Sequence, residues 1–198
     1  MKKVVLLIDA GYLQTIIKSE QYECNVQTIT KIAHACYSEK TEELSKILYY
    51  DCDSFNPIDE ATGKPYKYLK FNKEQKFDKQ ENKLIKQLAK EDLFAIRLGI
   101  LKFDGWNGNK PKFRQKGVDM RIGLDIAHIS HQGKVDRIIL ITGDTDFIPA
   151  MKYARKFGIQ IVLTKFTKHK LSPELQYHTD FTRILELSDL KLKKWQKK

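Results

Sequence analysis

No stretch of the chain approaches the ~20 consecutive apolar residues that a helix needs to cross a bilayer, which excludes a helical membrane protein. Cysteine is scarce: Cys24, Cys36 and Cys52 are odd in number, isolated and without metal-ligand spacing. A disulfide scaffold or zinc ribbon is therefore excluded, and reduced thiols in a cytoplasmic protein are expected. The histidines show no ligand or triad spacing. His128 and His131 stand at i, i+3 without a third ligand, so both are expected on the surface. A Ser-centred nucleophile elbow and a Gly-rich phosphate loop are also missing, which removes hydrolase-elbow and P-loop chemistry. At the N-terminus, lysines and an apolar run lead directly into Asp9 with no small-residue cleavage site, so no signal peptide is expected. There is no repeat, no low-complexity segment and no linker. One domain over residues 1–190 with a basic tail, 191–198, is the expected organisation.

What the chain does have is positive charge and well-placed aspartates. The formal net charge of +11 attracts polyanions, because neutralised phosphates release condensed counterions. A basic surface can also serve solubility alone. The apolar run Val4–Ile8 closes on Asp9, and a second, Ile138–Ile141, runs through Thr142-Gly143 to Asp144 and Asp146. Short runs of this kind predict buried parallel strands, and ligands bind beyond the carboxyl ends of such strands. Like charges gathered there call for a compensating cation, and hard carboxylate oxygens suit Mg²⁺ or Mn²⁺. Each acid also has a plain structural use: Asp9 as a helix N-cap, and Asp144 and Asp146 as turn and cap. The convergence of two runs on one edge is what favours a site.

The remaining pattern alternates helices and strands. Helices are predicted over Ala10–Ser19, Val26–Tyr37, Lys73–Asp92, Lys116–Ser130, Asp146–Lys156 and Pro173–Tyr177. Five strands are predicted: the run into Asp9, Ser45–Tyr50, Phe94–Phe103 with a bend at Gly99, Arg137–Thr142 and Ile159–Lys165. Loops are expected over Asp53–Phe71 and Asp104–Pro111. Such alternation implies a mostly parallel sheet covered by helices.

Within the helix after Gly117, Val118, Ile122, Ile126 and Ile129 form the apolar stripe, with Asp119 and Asp125 flanking it on opposite sides. Asp119 lies in the first turn, nearest the sheet edge, and is the better ligand. Asp125, about 9 Å further along the axis, is expected to play a supporting part, paired with a base such as Arg121. Asp51 also points toward that edge but reads more simply as a turn residue. Trp106, Lys110, Lys112, Phe113, Arg114 and Lys116 interleave aromatics with cations, which suits a single nucleic-acid strand, or else an ordinary loop with one anchoring Trp. The lysine-rich tail from Lys191 reads as an electrostatic arm or a solvated terminus.

In order, Leu7-Ile8-Asp9-Ala10-Gly11-Tyr12, Tyr49-Tyr50-Asp51, Arg97-Leu98-Gly99, Gln115-Lys116-Gly117-Val118-Asp119, Thr142-Gly143-Asp144-Thr145-Asp146-Phe147 and Leu171-Ser172-Pro173-Glu174-Leu175 resemble the NYN domain family, the LabA-like branch of the PIN-like nucleases. The resemblance spans nearly the whole chain. It implies a three-layer α/β/α PIN-like fold and metal-dependent cleavage of RNA, with Asp9, Asp119, Asp144 and Asp146 as the acidic cluster holding Mg²⁺ or Mn²⁺. Many members read Ile-Asp-Gly-x-Asn where this chain has Ala10 and Tyr12.

The expected function is a metal-dependent endoribonuclease favouring single-stranded RNA. Thr142 and Thr145 would orient a carboxylate or water, and Lys116 would contact phosphate. Lys168 and Ser172 are substrate contacts on resemblance alone. A catalytically silent RNA-binding or protein-interaction module is the alternative, and a homo-oligomer is compatible with the chain.

Overall fold

The computed structural model describes residues 1–53, 82–107 and 110–196, with the side chains of Trp106, Lys110 and Pro111 outside the described set. The strands are β1 (Lys2–Asp9), β2 (Glu42–Cys52), β3 (Phe94–Asn107), β4 (Lys110–Lys116), β5 (Arg137–Ile141), β6 (Gln160–Phe166) and β7 (Phe181–Leu185). The helices are α1 (Ala10–Ser19), α2 (Val26–Ala35), α3 (Lys83–Leu88), α4 (Val118–Gln132), α5 (Ile148–Lys156) and α6 (Pro173–Tyr177). They form the α/β fold of the expected kind. The sheet order is β4-β3-β2-β1-β5-β6-β7, and every neighbouring pair is parallel except β3 with β4.

The apolar runs become strands because both sheet faces are covered. Leu6 and Ile8 of β1 join Leu13, Ile17, Ile29 and Ile32 of α1 and α2 in one core. Val5 and Leu7 join Ile122 and Ile126 of α4 and Met151 of α5 in the other. At roughly 1.5–3 kcal/mol per buried aliphatic side chain, these two layers supply the main driving force for folding. From β1 the chain builds outward through β2 and β3, then returns to β5 on the other side of β1 and builds outward through β6 and β7. The order therefore reverses between β1 and β5, and their carboxyl ends flank the crevice of the sheet.

Several expectations change. The loop predicted over Asp104–Pro111 is mostly strand: β3 runs on to Asn107 and pairs antiparallel with β4, with residues 108–109 outside the described set. Among the described residues the pairing of β3 with β2 ends at Gly99, and the segment from Ile100 runs on with β4 as an arm of about 25 Å at ~3.3 Å per residue. The composition suggested a loop because Gly105, at φ +93°, serves a register shift, and Pro111 is tolerated on an edge strand.

Gly99 is a point of close approach. A Cβ there would stand 2.7 Å from both the Lys116 carbonyl oxygen and a Val118 methyl. Of the helix predicted over Lys73–Asp92, residues 73–81 lie outside the described set; the rest is helical only over Lys83–Leu88, and residues 89–92 form a turn instead. The loop predicted over 53–71 lies outside the described residues from 54 onward. The helix predicted from Asp146 opens instead as a 3-10 turn, Thr145–Phe147, before α5.

The lysine-rich tail is clipped to the body as far as Trp195. Lys194 bridges Tyr22, the Trp195 N–H donates to the Gln21 carbonyl at 2.8 Å, and the Lys194 ammonium stands 3.7 Å over the Tyr22 ring. The three cysteines are free thiols, and burial pushes the Cys36 thiol up to about 12.

Candidate active site

Asp9 occupies the last position of β1 and also caps α1, the structural use expected of it. Its Oδ1 accepts from the Tyr12 N–H at 3.2 Å, and its Oδ2 accepts from the Thr142 hydroxyl at 3.3 Å. Strand alternation puts Asp9 on the side of Val5 and Leu7, the α4–α5 face. Thr142, itself buried, accepts in turn from the Asp144 N–H at 3.1 Å. One hydroxyl thus ties the ends of β1 and β5 together across the crevice. Asp144 accepts from the Asp146 N–H at 2.9 Å and caps the 3-10 turn that Thr145 opens.

Asp119 sits in the first turn of α4, on the same face. Gly117, at φ +80°, supplies the left-handed N-cap that starts this helix beside the crevice. Burial pushes the Asp9 carboxyl above its ordinary range, against the pull of its hydrogen bonds, and the charge of Asp119 pushes further. Partial burial raises Asp119 as well, followed by the negative fields of Asp144 and Asp146. The four predicted acids therefore share one electrostatic neighbourhood. Among the described residues none of them forms an ion pair with Lys, Arg or His. An all-oxygen, un-neutralised donor set suits a hard divalent cation. Among the described residues, however, no three His, Cys, Asp or Glu side chains are drawn together into a compact metal-holding group, so the fit rests on donor chemistry and shared field.

Tyr12 is the feature that sequence reading left without a role. Its ring packs closely on Gly143, where an added Cβ would stand 2.5 Å from Cε2. The Tyr12 hydroxyl is buried without a partner among the described residues, and burial plus the Asp9 charge push it up to about 12. Gly143→Ala should therefore overpack the turn carrying Asp144 and cost about 1–3 kcal/mol in thermal unfolding. In a Tyr12→Ala background that penalty should vanish; a penalty that persists there would place its cause outside the Tyr12 contact.

The other predicted residues fall elsewhere. Asp125 accepts from the Tyr50 hydroxyl at 2.8 Å and pairs with Arg97 at 3.1 Å, so its base is Arg97 and not Arg121. Asp51 is buried in β2 and not in a turn, with Gln14 donating to it at 3.1 Å. Lys168 pairs with Glu20 and Glu186, and Ser172 caps α6; both have structural employment. Lys112 and Arg114 lie on the arm, both reaching Asp104, at 3.1 and 3.2 Å. Cross-strand pairing puts Lys102 with Arg114 and Ile100 with Lys116 on one face, alternating with Leu101–Gln115 and Phe103–Phe113 on the other. Lys116 is exposed where the arm meets the body. The side chains of Trp106 and Lys110 lie outside the described set.

A mostly parallel sheet between two helical layers, with acids at the reversal of strand order, defines a PIN-like α/β/α protein. The chain belongs to the NYN domain family, whose model matches residues 3–186. NYN domains are part of the PIN-like superfamily and generally comprise nucleases. The chain is 27% identical over 97 residues to the uncharacterized protein y4oD of Sinorhizobium fredii (strain NBRC 101917 / NGR234), a match covering 48% of this chain and 42% of that relative, so it spans under half of it. The crystal structure of VPA0982, a protein of unknown function from Vibrio parahaemolyticus RIMD 2210633, is similar in fold. Its TM-score is 0.56 at 15% identity, with 93% of each chain covered. Among the described residues no helix is long and apolar enough to cross a membrane.

Proposed function

We propose that the chain is a divalent-metal-dependent endoribonuclease that favours single-stranded RNA. The observation that carries this reading is the set of four un-neutralised carboxylates at the β1–β5 crevice, inside a chain of net charge +11. Asp9, Asp119 and Asp144 would hold Mg²⁺ or Mn²⁺, with Asp146 completing the set directly or through water. Such a cation, single or paired, activates water and offsets charge on a phosphodiester. The chain's own residues do the rest. Thr142 holds Asp9 and the Asp144 turn in one arrangement, and Tyr12 fills the space beneath that turn. Lys116 stands at the mouth as a phosphate contact.

The arm supports the substrate class. Lys102, Lys112, Arg114 and Lys116 are exposed on one face, and only Asp104 opposes them there among the described residues. Cations spaced along an extended strand track a phosphate backbone. Replacing Lys110, Lys112 and Arg114 together should flatten the salt dependence of RNA affinity, by about 0.7 in log–log slope for each phosphate left un-neutralised. Trp106→Ala should weaken binding by ~1–3 kcal/mol while leaving the slope nearly unchanged. An unaltered slope in the triple variant would move the RNA path off the arm.

A catalytically silent RNA-binding module is the second reading, and the same basic surface supports it together with Tyr12, which stands where many family members have Asn. Incubating the protein with labelled single-stranded and duplex RNA and DNA, with Mn²⁺, Mg²⁺ or EDTA, separates the two readings. Metal-dependent RNA cleavage supports the first, and binding without cleavage supports the second.

A further inference from the structure

The arm has a second face, turned toward the body. Leu101 on that face packs against the α4–α5 core, and its cross-strand partner is Gln115. Where the arm returns to the body, the close approach of Lys116 and Val118 to Gly99 fixes the backbone on either side of Gly117. This junction brings the Gln115 carboxamide over the first turn of α1. The point where a Cβ on Gly11 would stand lies 3.8 Å from the Gln115 Oε1 and 3.4 Å from the Asp9 Oδ1. Gln115 is exposed, and its side chain makes no hydrogen bond among the described residues. It is an unengaged amide beside the acid that ends β1.

The chemistry around it narrows its use. The carboxylates of the crevice only accept hydrogen bonds, and Lys116 only donates. Thr142 is already committed to Asp9 and to the Asp144 N–H, and the Tyr12 hydroxyl is buried. Thr145 belongs to the turn that carries the carboxylates. A carboxamide both donates and accepts, which matches a hydroxyl group, and the 2′-hydroxyl is the group by which a protein tells RNA from DNA.

We propose that Gln115 contacts the ribose 2′-hydroxyl beside the scissile phosphate and makes the site selective for RNA over DNA. This rests on the cleavage reading above for the position of the phosphate. It assigns Gln115 a substrate-binding role separate from the arm's cationic face, which handles phosphates common to both nucleic acids.

The test compares the wild type with Gln115→Ala on one single-stranded RNA and the DNA strand of the same sequence. Cleavage is followed under single-turnover conditions with Mn²⁺, and affinity is measured separately in EDTA. The wild type should prefer RNA in both measurements. Gln115→Ala should lower RNA cleavage and RNA affinity by about 3- to 10-fold, the scale of one neutral hydrogen bond, and leave DNA unchanged. Gln115→Asn, one methylene shorter, should recover part of the preference. Equal losses on RNA and DNA, no loss on either, or a wild type without preference would overturn the assignment. If the wild type cleaves neither strand, the nuclease reading fails, and the EDTA binding comparison still decides Gln115. An RNA preference removed by Gln115→Ala sustains the contact, and a preference that survives the substitution refutes it.

Discussion

Asp9→Asn and Asp144→Asn should each reduce RNA cleavage on the order of a hundredfold or more, the scale of losing a pre-organised electrostatic contact at a reacting centre. The substitution keeps the size of the side chain, and a neutral amide oxygen is a far poorer partner for a hard cation. Asp9→Asn retains an oxygen that can cap α1, so the loss should appear in rate before it appears in folding. EDTA should abolish wild-type cleavage, and Mn²⁺ or Mg²⁺ should restore it. Full activity of a folded Asp9→Asn/Asp144→Asn variant in EDTA would end the metal reading.

The same series distinguishes the two acids of α4. Asp119→Asn should follow the pattern of Asp9, because Asp119 shares its field with Asp144 and Asp146. Asp125→Asn should mainly lower the stability of the fold, by about 1–2 kcal/mol, because its partners are Tyr50 and Arg97. Equal losses of rate at matched stability would reverse that ranking.

The second large effect lies at the opposite edge of the sheet and concerns stability. Glu42 opens β2 with its side chain fully buried, paired with Arg137 of β5 and Arg183 of β7. The Ser38 N–H also donates to it, at 2.8 Å. Burial alone would raise its carboxyl, but the hydrogen bonds from Arg183, Ser38 and Arg137 overcome that and bring it down to about 2. Glu42→Ala leaves the two guanidinium groups facing each other without a counter-charge and should cost about 3–5 kcal/mol.

The pH dependence has a definite sign. A carboxyl held near 2 in the folded chain and near 4.5 when unfolded contributes stability that is complete above pH 4.5. That contribution, on the order of 3 kcal/mol, is lost as pH falls from there toward 2. Urea unfolding of wild type and Glu42→Gln at pH 7 and pH 3 should show the gap between them narrowing in acid. A gap that stays constant would mean that Glu42 is no better ionised in the folded chain than in the unfolded one.

How much of this could be read in the sequence follows from what each feature depends on. Asp9 and the Asp144–Asp146 turn were legible because an apolar run buried on both faces has one common outcome, and its carboxyl end is where the acid falls. The first-turn place of Asp119 followed from the helical stripe of Val118, Ile122, Ile126 and Ile129, of which the first three are buried and Ile129 partly so. The arm was not legible. Its Gly105 and Pro111 are loop residues by composition, and only the pairing of two edge strands gives them a place. The Asp125 partners, Tyr50 and Arg97, come from β2 and β3, so no helical spacing could point to them. Tyr12 on Gly143 and Gln115 over Gly11 are likewise contacts between segments distant in sequence, made possible by small residues whose importance appears only once something is packed on them.

The arm also separates reach from bearing. Its side chains alternate between a cationic face and a face turned to the body, and the junction at Gly99 anchors that alternation at its base. A pair of residues added at the tip, one to each strand, would lengthen the arm and leave both faces as they are. One residue added to β4 alone would turn the cations inward or force a bulge. The arm's length can thus change without changing the direction in which it presents its charge, because that direction is held by the parity of the strand.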